Sequence, residues 1–298
     1  MVADNQAKFL RWLQKRLGNL ALLKWLERKV RVSDCGMIPP PIFIVGAPRV
    51  GSTLFFQALI AKYELAYLSN LHALLFSQPC LADRLAKVLK SCGYDYRHKL
   101  ESRFGYTPGL LGPSEAGATF RHWFGEADFS LVGHRTDCRQ IRLAIATLSA
   151  SAGGPFISKN LFNSMRLKEI LKCFPEAFLV WMRRDHESTA KSILAMRRRI
   201  HGTDKRWVSV KIPGLNEVMK LTPKEQVLRQ ILAVESYLEE RFLQHGQGKT
   251  MIVNYDLFCL NPESWIDKLM TRYSRVCQCK VSVRKTFDQS IFAGVKKR

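Results

Sequence analysis

The sequence predicts an α/β fold: one domain with a central parallel β-sheet flanked by helices, preceded by a basic amphipathic helix. Two patterns predict it. Short, wholly apolar runs alternate with longer amphipathic segments, and a glycine-rich turn joins the first of these runs to a helix. Apolar runs of this kind are typical of strands covered on both faces, and their alternation with helices is typical of parallel sheets.

The N-terminal part, residues 7–32, predicts one basic amphipathic helix. Apolar residues recur at the three- to four-residue spacing of a helical stripe, namely Leu10, Leu13, Leu17, Leu20, Leu23, Leu26 and Val30. Trp12 and Trp25 would suit a lipid interface; the alternative is a helix docked on the protein's own core. Three consecutive prolines then end the segment. We therefore expect residues 1–40 to form the helix and a linker, and residues 41–298 the main domain.

The main domain alternates strand and helix signals along the chain. The predicted strands are 42–45, 155–158, 177–182 and 251–255. The predicted helices are 52–62, 163–174 with Asn163 as its cap, 186–199, 223–243 and 262–273. Residues 64–150 are mainly helical in character, with a Gly/Pro-rich loop at 105–117.

The formal net charge of +22 predicts an anionic partner, whether nucleic acid, a membrane surface or a charged small ligand or polymer. The eight cysteines lack the paired spacing of a zinc site. We interpret them as reduced core thiols of a cytosolic protein, with a structural disulfide as the alternative. No apolar run reaches the roughly 18–20 residues that span a bilayer, and basic residues interrupt any signal-peptide core, so we expect a protein that is not exported.

The turn Val45–Thr53, "VGAPRVGST", lies between a buried strand and a helix and makes the domain P-loop-like. Such a turn directs backbone N–H groups and the positive end of the helix dipole at one point, where an oxyanion binds. In a nucleotide-triphosphate loop a lysine would stand at Ser52, whereas here the positive charge is Arg49. No strand-borne aspartate is placed to hold Mg²⁺. A ligand with one terminal phosphate and no obligatory metal fits better.

A second cluster follows the strand at 177–182. Arg183 and Arg184 end this strand, and Ser192 comes eight residues after Arg184, inside the next helix. Ligands of parallel sheets sit at the carboxyl ends of the strands, so an arginine and a hydroxyl there make a second phosphate site. A ligand with two separate phosphate groups is implied.

These motifs resemble the sulfotransferases that use 3'-phosphoadenosine 5'-phosphosulfate (PAPS). Residues 48–53 resemble the family's 5'-phosphosulfate loop, and Arg184 with Ser192 resembles its 3'-phosphate site. Lys159 in "SKNLFNSMRLKEILKCFPEAF" and the later "VNYDLFCLNPESW" are similar to two further family elements, so the likeness spans about residues 41–270. Val50 and His186 depart from it, since the family usually has Ser and often Pro there.

The resemblance implies PAPS as the donor, adenosine 3',5'-bisphosphate (PAP) as the product, and no required metal. It implies donor-binding roles for the following residues: Arg49, Val50, Gly51, Ser52, Thr53, Arg184, Ser192 and, more loosely, Tyr237 at the adenine. Arg49 and Lys159 would neutralise the charge of the leaving phosphate. His72 and Glu115 are the two candidates for the base that takes the proton of the acceptor hydroxyl.

The expected activity is therefore in-line sulfuryl transfer from PAPS to a hydroxyl, with a saccharide or glycolipid as the expected acceptor. Two alternatives stay open: a P-loop kinase-like phosphotransferase, and a non-catalytic protein that binds polyanions or membranes. Nucleic acid is not the expected partner. We expect a cytoplasmic protein, with residues 7–32 available for peripheral contact with the anionic inner face of a membrane.

Overall fold

The computed structural model describes residues 12–14, 16–18, 20–34, 36, 38–94, 96, 100, 107–126 and 136–295. A four-stranded sheet with the strand order β2-β1-β3-β4 forms the centre. All its neighbouring strands are parallel. The strands are β1 (Ile42–Gly46), β2 (Ile157–Lys159), β3 (Phe178–Arg183) and β4 (Thr250–Asn254). The predicted parallel sheet is confirmed.

Helices connect and flank these strands. They are α1 (Ala21–Val30), α2 (Ser52–Lys62), α3 (Asn70–Leu74), α4 (Pro79–Ser91), α5 (Gly117–Phe124), α6 (Cys138–Ala152), α7 (Leu167–Cys173), α8 (His186–His201), α9 (Leu215–Val218), α10 (Pro223–His245), α11 (Tyr255–Leu260) and α12 (Pro262–Cys277). Short 3₁₀ segments lie at Leu161–Met165, Gln247–Lys249 and Gln289–Gly294.

The inner strands β1 and β3 are buried on both faces apart from the exposed Arg183 at the end of β3, as their apolar sequences require, whereas the edge strand β4 exposes Ile252. Every residue of β1 is buried, and so is every residue of α2 from Leu54 to Lys62. The register pairs Ile44 with Lys159 of β2 and Gly46 with Met182 of β3. The turn after β1 therefore lies at the carboxyl edge of the sheet, between the ends of β2 and β3.

The N-terminal segment is not one continuous helix in its described part. Residues 12–14 and 16–18 are helical, but Leu20 has an extended backbone and α1 begins after it. Glu27 of α1 is buried, and its carboxylate accepts the backbone N–H groups of Cys80 and Leu81 at the start of α4. Residues 7–11, 15 and 19 lie outside the described residues. The domain boundary at residue 40 stays a prediction.

Three local expectations need correction. A 3₁₀ segment precedes α7, so the helix expected from residue 163 begins at Leu167. Asn163 is not a cap: Asn160 caps the 3₁₀ segment by accepting the N–H of Phe162, and the residue before α7, Arg166, makes no side-chain capping bond. The short helix α11 was not predicted; Asn254 caps it by accepting the N–H groups of Asp256 and Leu257.

The interpretation of the cysteines as reduced thiols is wrong for one pair. Cys138 and Cys173 form a disulfide, although they are separated by 35 residues in the sequence. Cys138 begins α6 and Cys173 ends α7, and the packing of these two helices brings their Cα atoms to 4.9 Å. No local sequence pattern predicts this pairing, because it depends on the packing of two segments that are distant in the sequence.

Candidate active site

The turn between β1 and α2 has a backbone that depends on glycine. Gly51, the residue before α2, has φ +82°, a left-handed conformation. A Cβ atom at this position would lie 1.9 Å from the Tyr255 ring, so the ring of Tyr255 occupies the space that a side chain would need. Arg49 is also left-handed, with φ +67°. The turn thus holds one arginine in a strained backbone conformation beside a close-packed glycine.

Arg49 links the turn to α8. Its Nε donates a hydrogen bond of 3.1 Å to the hydroxyl of Ser192. Burial and, to a lesser extent, the like charge of Arg184 lower the pKa of the Arg49 guanidinium below its ordinary value. The guanidinium groups of Arg49 and Arg184 are therefore held close enough to repel each other, an arrangement that a bound anion would relieve.

Arg184 follows the last residue of β3. Its guanidinium carbon lies 4.6 Å from the centre of the Tyr255 ring, within the range of a cation–π contact. Its Nε is buried and makes no hydrogen bond within the described part of the chain, and Asp256 approaches it only to 3.9 Å. A buried N–H of a charged group fits the oxygen of an anionic ligand.

Lys159 ends β2 and is buried. Its Nζ forms an ion pair with the carboxylate of Glu115, which lies in the loop before α5. The neighbours of Lys159 also hold this loop: Asn160 donates its side-chain amide to the Glu115 carbonyl at 2.6 Å, and Leu161 donates its N–H to the carboxylate at 3.4 Å. The carboxylate is thus fixed at the end of the sheet.

These side chains surround one cavity of about 250 Å³. Its walls include Arg49, Gly51, Ser52 and Thr53 from the turn, Lys159 and Glu115 on one side, and Arg184, Met196, Ser209 and Tyr255 on the other. Three cationic side chains and one carboxylate face the same space. The cavity can hold an anion and keep a proton acceptor beside it.

Three residues that we expected in the site are not among those that line the cavity, namely Val50, Ser192 and Tyr237. Val50 is buried, at 1% exposure. The hydroxyl of Ser192 accepts a hydrogen bond from Arg49, which itself lines the cavity. Tyr237 donates its hydroxyl to the Met165 carbonyl at 3.5 Å, and burial raises its pKa.

His72, one of the two candidate bases, lies elsewhere. It lines a separate cavity of about 290 Å³ with Asp83 and Lys90. Its Nδ1 accepts the backbone N–H of Ser69 at 3.1 Å, which places the ring proton on Nε2. Burial, and then the charge of Lys90, lowers the pKa of His72 to about 3. Of the two candidates, only Glu115 lines the cavity that contains Arg49 and Lys159.

Tyr255 and Ser209 line the cavity but were not singled out as site residues. Tyr255 was within reach of sequence reasoning, since it belongs to the "VNYDL" element directly after β4. Ser209 lies in the loop between α8 and α9, and neither periodicity nor a motif marks it. Only the folded chain brings this loop to the ends of the strands.

The described part of the chain contains no group of three or more histidine, cysteine, aspartate or glutamate side chains that could hold a metal ion. The expectation that no metal is required stays a prediction. Among the described residues, no helix combines the length and the apolar character needed to cross a bilayer.

Comparison with known proteins gives a consistent result. The sequence profile of a family described as "Sulfotransferase family" matches residues 40–274. No curated protein shows significant similarity to the chain. In fold, the chain is similar to the sulfotransferase STF1 from Mycobacterium tuberculosis H37Rv, with 16% identity over 97% of this chain and 83% of that one and a TM-score of 0.55. It is also similar to the sulfotransferase STF9 from Mycobacterium avium, with 15% identity over 88% and 68% of the two chains and a TM-score of 0.54.

Proposed function

The chain belongs to the sulfotransferase family, and on this premise we propose that it transfers a sulfuryl group from PAPS to the hydroxyl of an acceptor. One observation carries the proposal. Arg49 and Arg184 line a single cavity beside the left-handed Gly51 turn, and the buried Nε of Arg184 makes no hydrogen bond within the described residues. An anionic ligand with more than one charged group fits this arrangement.

We assign the two ends of the donor to the two sides of the cavity. The backbone of the turn, with Ser52 and Thr53 at the start of α2, binds the 5'-phosphosulfate. Arg184 binds the 3'-phosphate, together with Ser192, whose hydroxyl already accepts from Arg49. This division lets the site reject nucleotides that lack a 3'-phosphate, since they leave Arg184 unpaired.

Transfer requires in-line geometry and charge stabilisation more than covalent help. The acceptor oxygen attacks sulfur as the bond from sulfur to the 5'-phosphate oxygen breaks, and PAP leaves. Arg49 and Lys159 neutralise the charge that grows on the leaving phosphate. Glu115 takes the proton of the acceptor hydroxyl, since its carboxylate lies in the cavity in contact with Lys159.

Titration calorimetry tests the donor site. Wild-type protein is expected to bind PAP without Mg²⁺ and to prefer it to ATP. Arg184→Ala is expected to weaken PAP binding by about 2–4 kcal/mol, since a charged phosphate loses its partner. Arg183→Ala is the matched control, because its side chain contacts Glu235 at 3.2 Å instead of the cavity. Preference for ATP with Mg²⁺ would instead support the kinase alternative.

The acceptor we propose is a saccharide or a glycolipid hydroxyl. A screen with radiolabelled PAPS, comparing free saccharides with extracted membrane lipids, identifies the class. Label in the lipid fraction alone selects a glycolipid, and label in soluble sugars alone selects a saccharide. Failure to label either fraction, in a protein that binds PAP, would remove this acceptor class but leave the donor assignment standing.

A glycolipid would be met at a membrane surface, and we propose the N-terminal segment for this contact. Among its described residues, four large apolar side chains are at least 49% exposed: Trp12, Leu20, Leu22 and Trp25. Basic groups lie on the tryptophans, with the Arg16 guanidinium 5.5 Å from the Trp12 ring and the Lys29 ammonium 5.7 Å from the Trp25 ring. Glu27, the single acidic residue of the segment 7–32, is buried against α4. The exposed face is therefore apolar and cationic, which suits an anionic lipid surface.

Vesicle flotation tests the membrane contact with phosphatidylcholine alone and mixed with phosphatidylglycerol. We expect flotation with the mixed vesicles, and loss of flotation in Trp12→Ala/Trp25→Ala. Leu243→Ala/Leu260→Ala is the control, because both leucines are 73% exposed outside this segment. Equal flotation of the two double variants would show that overall charge, not this segment, drives binding.

The cytoplasmic location also belongs to this proposal. The disulfide between Cys138 and Cys173 weighs against it, because structural disulfides are rare in reducing compartments. Fractionation of cells, with thiol labelling before lysis, tests the location. Recovery of the protein from the cytoplasm or from the inner face of the membrane supports a cytoplasmic location. Recovery from an exported fraction overturns it.

A further inference from the structure

The loop between α8 and α9 is held in place around one residue, Ser209. The buried side chain of Gln230 donates hydrogen bonds to the carbonyls on both sides of it, at 2.9 Å to Val208 and 2.8 Å to Val210. The indole N–H of Trp207 donates to the same Val210 carbonyl at 3.0 Å. The backbone on either side of Ser209 is therefore fixed by hydrogen bonds from side chains.

A second buried group supports the same loop from α8. Arg197 has 0% exposure, and its Nη1 donates to the Asp204 carbonyl at 3.1 Å and to the side chain of Gln226 at 2.8 Å. Its guanidinium also lies 5.0 Å from the centre of the Trp207 ring. Burial of polar and charged groups is unfavourable unless their interactions compensate for it. Buried polar side chains, Arg197 and Gln226, thus hold the loop between α8 and α9 in place.

Ser209 itself is in a conformation that glycine would adopt more readily. Its φ is +73°, in the left-handed region that disfavours residues with a Cβ atom. The side chains of Val208, Val210 and Ile212 alternate into the core, so that Ser209 lies between two anchored neighbours. A glycine could form the same turn without strain, so the fold alone does not explain a serine here. Strain of this kind often marks a functional site.

Ser209 is one of the residues that line the donor cavity, as are Arg184 and Met196. Its Oγ is buried and makes no hydrogen bond with any described group. Met196 comes one helical turn after Ser192 in α8, and residues four apart share a helix face. Trp207, two residues before Ser209, packs on Arg197, the residue after Met196. We therefore assign Ser209 to the α8 side of the cavity, where we placed the 3'-phosphate.

We propose that Ser209 is a further donor-binding residue, and that its hydroxyl donates a hydrogen bond to the 3'-phosphate of the bound nucleotide. The proposal rests on the proposed function, because the 3'-phosphate belongs to PAPS and PAP. The buried groups Arg197, Gln226 and Gln230 are the positioning residues of this contact. They hold the loop in the strained conformation that presents the hydroxyl to the cavity.

Calorimetry with PAP and with adenosine 5'-monophosphate, which lacks the 3'-phosphate, tests this role in the chain of 298 residues. Ser209→Ala removes the hydroxyl, and Ser209→Gly removes it and also relieves the backbone strain. Both are expected to bind PAP about 10- to 100-fold more weakly, as for loss of a hydrogen bond to a charged group. Their affinity for adenosine 5'-monophosphate should stay at the wild-type value. Ser236→Ala, at an exposed serine of α10, is the matched control.

Each other outcome counts against the proposal in a different way. Wild-type affinity for PAP in Ser209→Gly, while Arg184→Ala loses binding, would overturn the role of Ser209 and leave the proposed function intact. Equal losses for both nucleotides would show that Ser209 does not contact the 3'-phosphate. If the wild-type protein itself does not bind PAP, both the proposed function and this inference are wrong.

Discussion

Arg184 lies on the ring of Tyr255, with its guanidinium carbon 4.6 Å from the ring centre, while the Tyr255 ring also fills the space beside the Cα atom of Gly51. Tyr255, which directly follows β4, thus packs between the turn after β1 and the arginine after β3. Because one ring contacts both proposed phosphate-binding elements, it sets the distance between them.

Replacing this ring should weaken nucleotide binding without removing any charge. Tyr255→Ala is expected to reduce PAP affinity by about 1–2 kcal/mol, since Arg184 loses its cation–π contact and its support. Tyr255→Phe keeps the ring and serves as the control. Calorimetry of the three proteins checks the prediction. Equal losses in both variants would point to the hydroxyl rather than the ring.

Gly51 should tolerate no side chain. In Gly51→Ala the new Cβ atom would clash with the Tyr255 ring, in addition to the strain of φ +82°. Gly153→Ala is the matched control, because Gly153 has φ +70° with nothing within 4 Å of the added atom. The control should lose about 1–2 kcal/mol of unfolding free energy from strain alone. Urea unfolding should show a larger loss of unfolding free energy in Gly51→Ala than in the control, and Gly51→Ala should not bind PAP. Equal losses of unfolding free energy in the two variants would show that the clash does not occur.

The two candidate bases can be separated by their effects on turnover. Glu115→Gln is expected to lower kcat by about 10²–10⁴-fold, as for loss of a general base. His72→Gln should retain wild-type turnover, since His72 lines a different cavity. Initial rates with the acceptor found by the screen, at saturating PAPS, provide the measurement. A lower kcat in His72→Gln, together with wild-type kcat in Glu115→Gln, would show that His72 and not Glu115 is the base.

The buried His72 should make the protein less stable in mild acid. Its pKa is lowered to about 3 in the fold, against about 6.5 in an unfolded chain. Below pH 6.5 the unfolded chain therefore binds a proton that the folded protein does not, so stability falls as the pH falls. At pH 5 this amounts to about 2 kcal/mol. Urea unfolding at pH 7 and pH 5 checks the prediction.

His72→Gln is the informative variant for this pH dependence. Glutamine does not titrate, and at this position of a capping box with Ser69 it preserves the helix start. Between pH 7 and pH 5, the unfolding free energy of the variant should fall by about 2 kcal/mol less than that of the wild-type protein. Parallel losses in both proteins would show that other groups cause the acid sensitivity.

The disulfide between Cys138 and Cys173 should contribute to stability. Closing a loop across a sequence separation of 35 residues restricts the unfolded chain. Cys138→Ala/Cys173→Ala is therefore expected to unfold with about 2–4 kcal/mol less free energy. Alkylation under denaturing, non-reducing conditions followed by mass spectrometry checks the bond itself. Modification of all eight cysteines of the wild-type chain would show that it does not form.

Much of the fold could be predicted because its signals are local. The apolar strands β1 and β3, the glycine turn between β1 and α2, and the position of Arg184 at a strand end can all be read within a few consecutive residues. Strand ends of a parallel sheet meet at one edge, so these signals also predict that Arg49 and Arg184 lie at the same rim of the sheet, each in its own anion pocket. Both arginines line one cavity at that rim.

The remaining features depend on contacts between distant segments. Glu115 meets Lys159 across 44 residues of sequence, whereas His72, the other candidate base, is buried and lines a different cavity. The loop that carries Ser209 reaches the site through buried side chains of α8 and α10. No periodicity encodes such contacts, because they arise from the way in which helices pack on the sheet.

Local signals in the sequence specify a parallel sheet with a glycine turn at its carboxyl edge, a turn that we predict to bind an anion, since backbone chemistry and hydrophobic periodicity act over short stretches of chain. Contacts in the folded chain establish which carboxylate lies beside Lys159, which aromatic ring supports Arg184, and which cysteines pair. These choices depend on burial and on distances through space, which the order of residues along the chain does not specify locally.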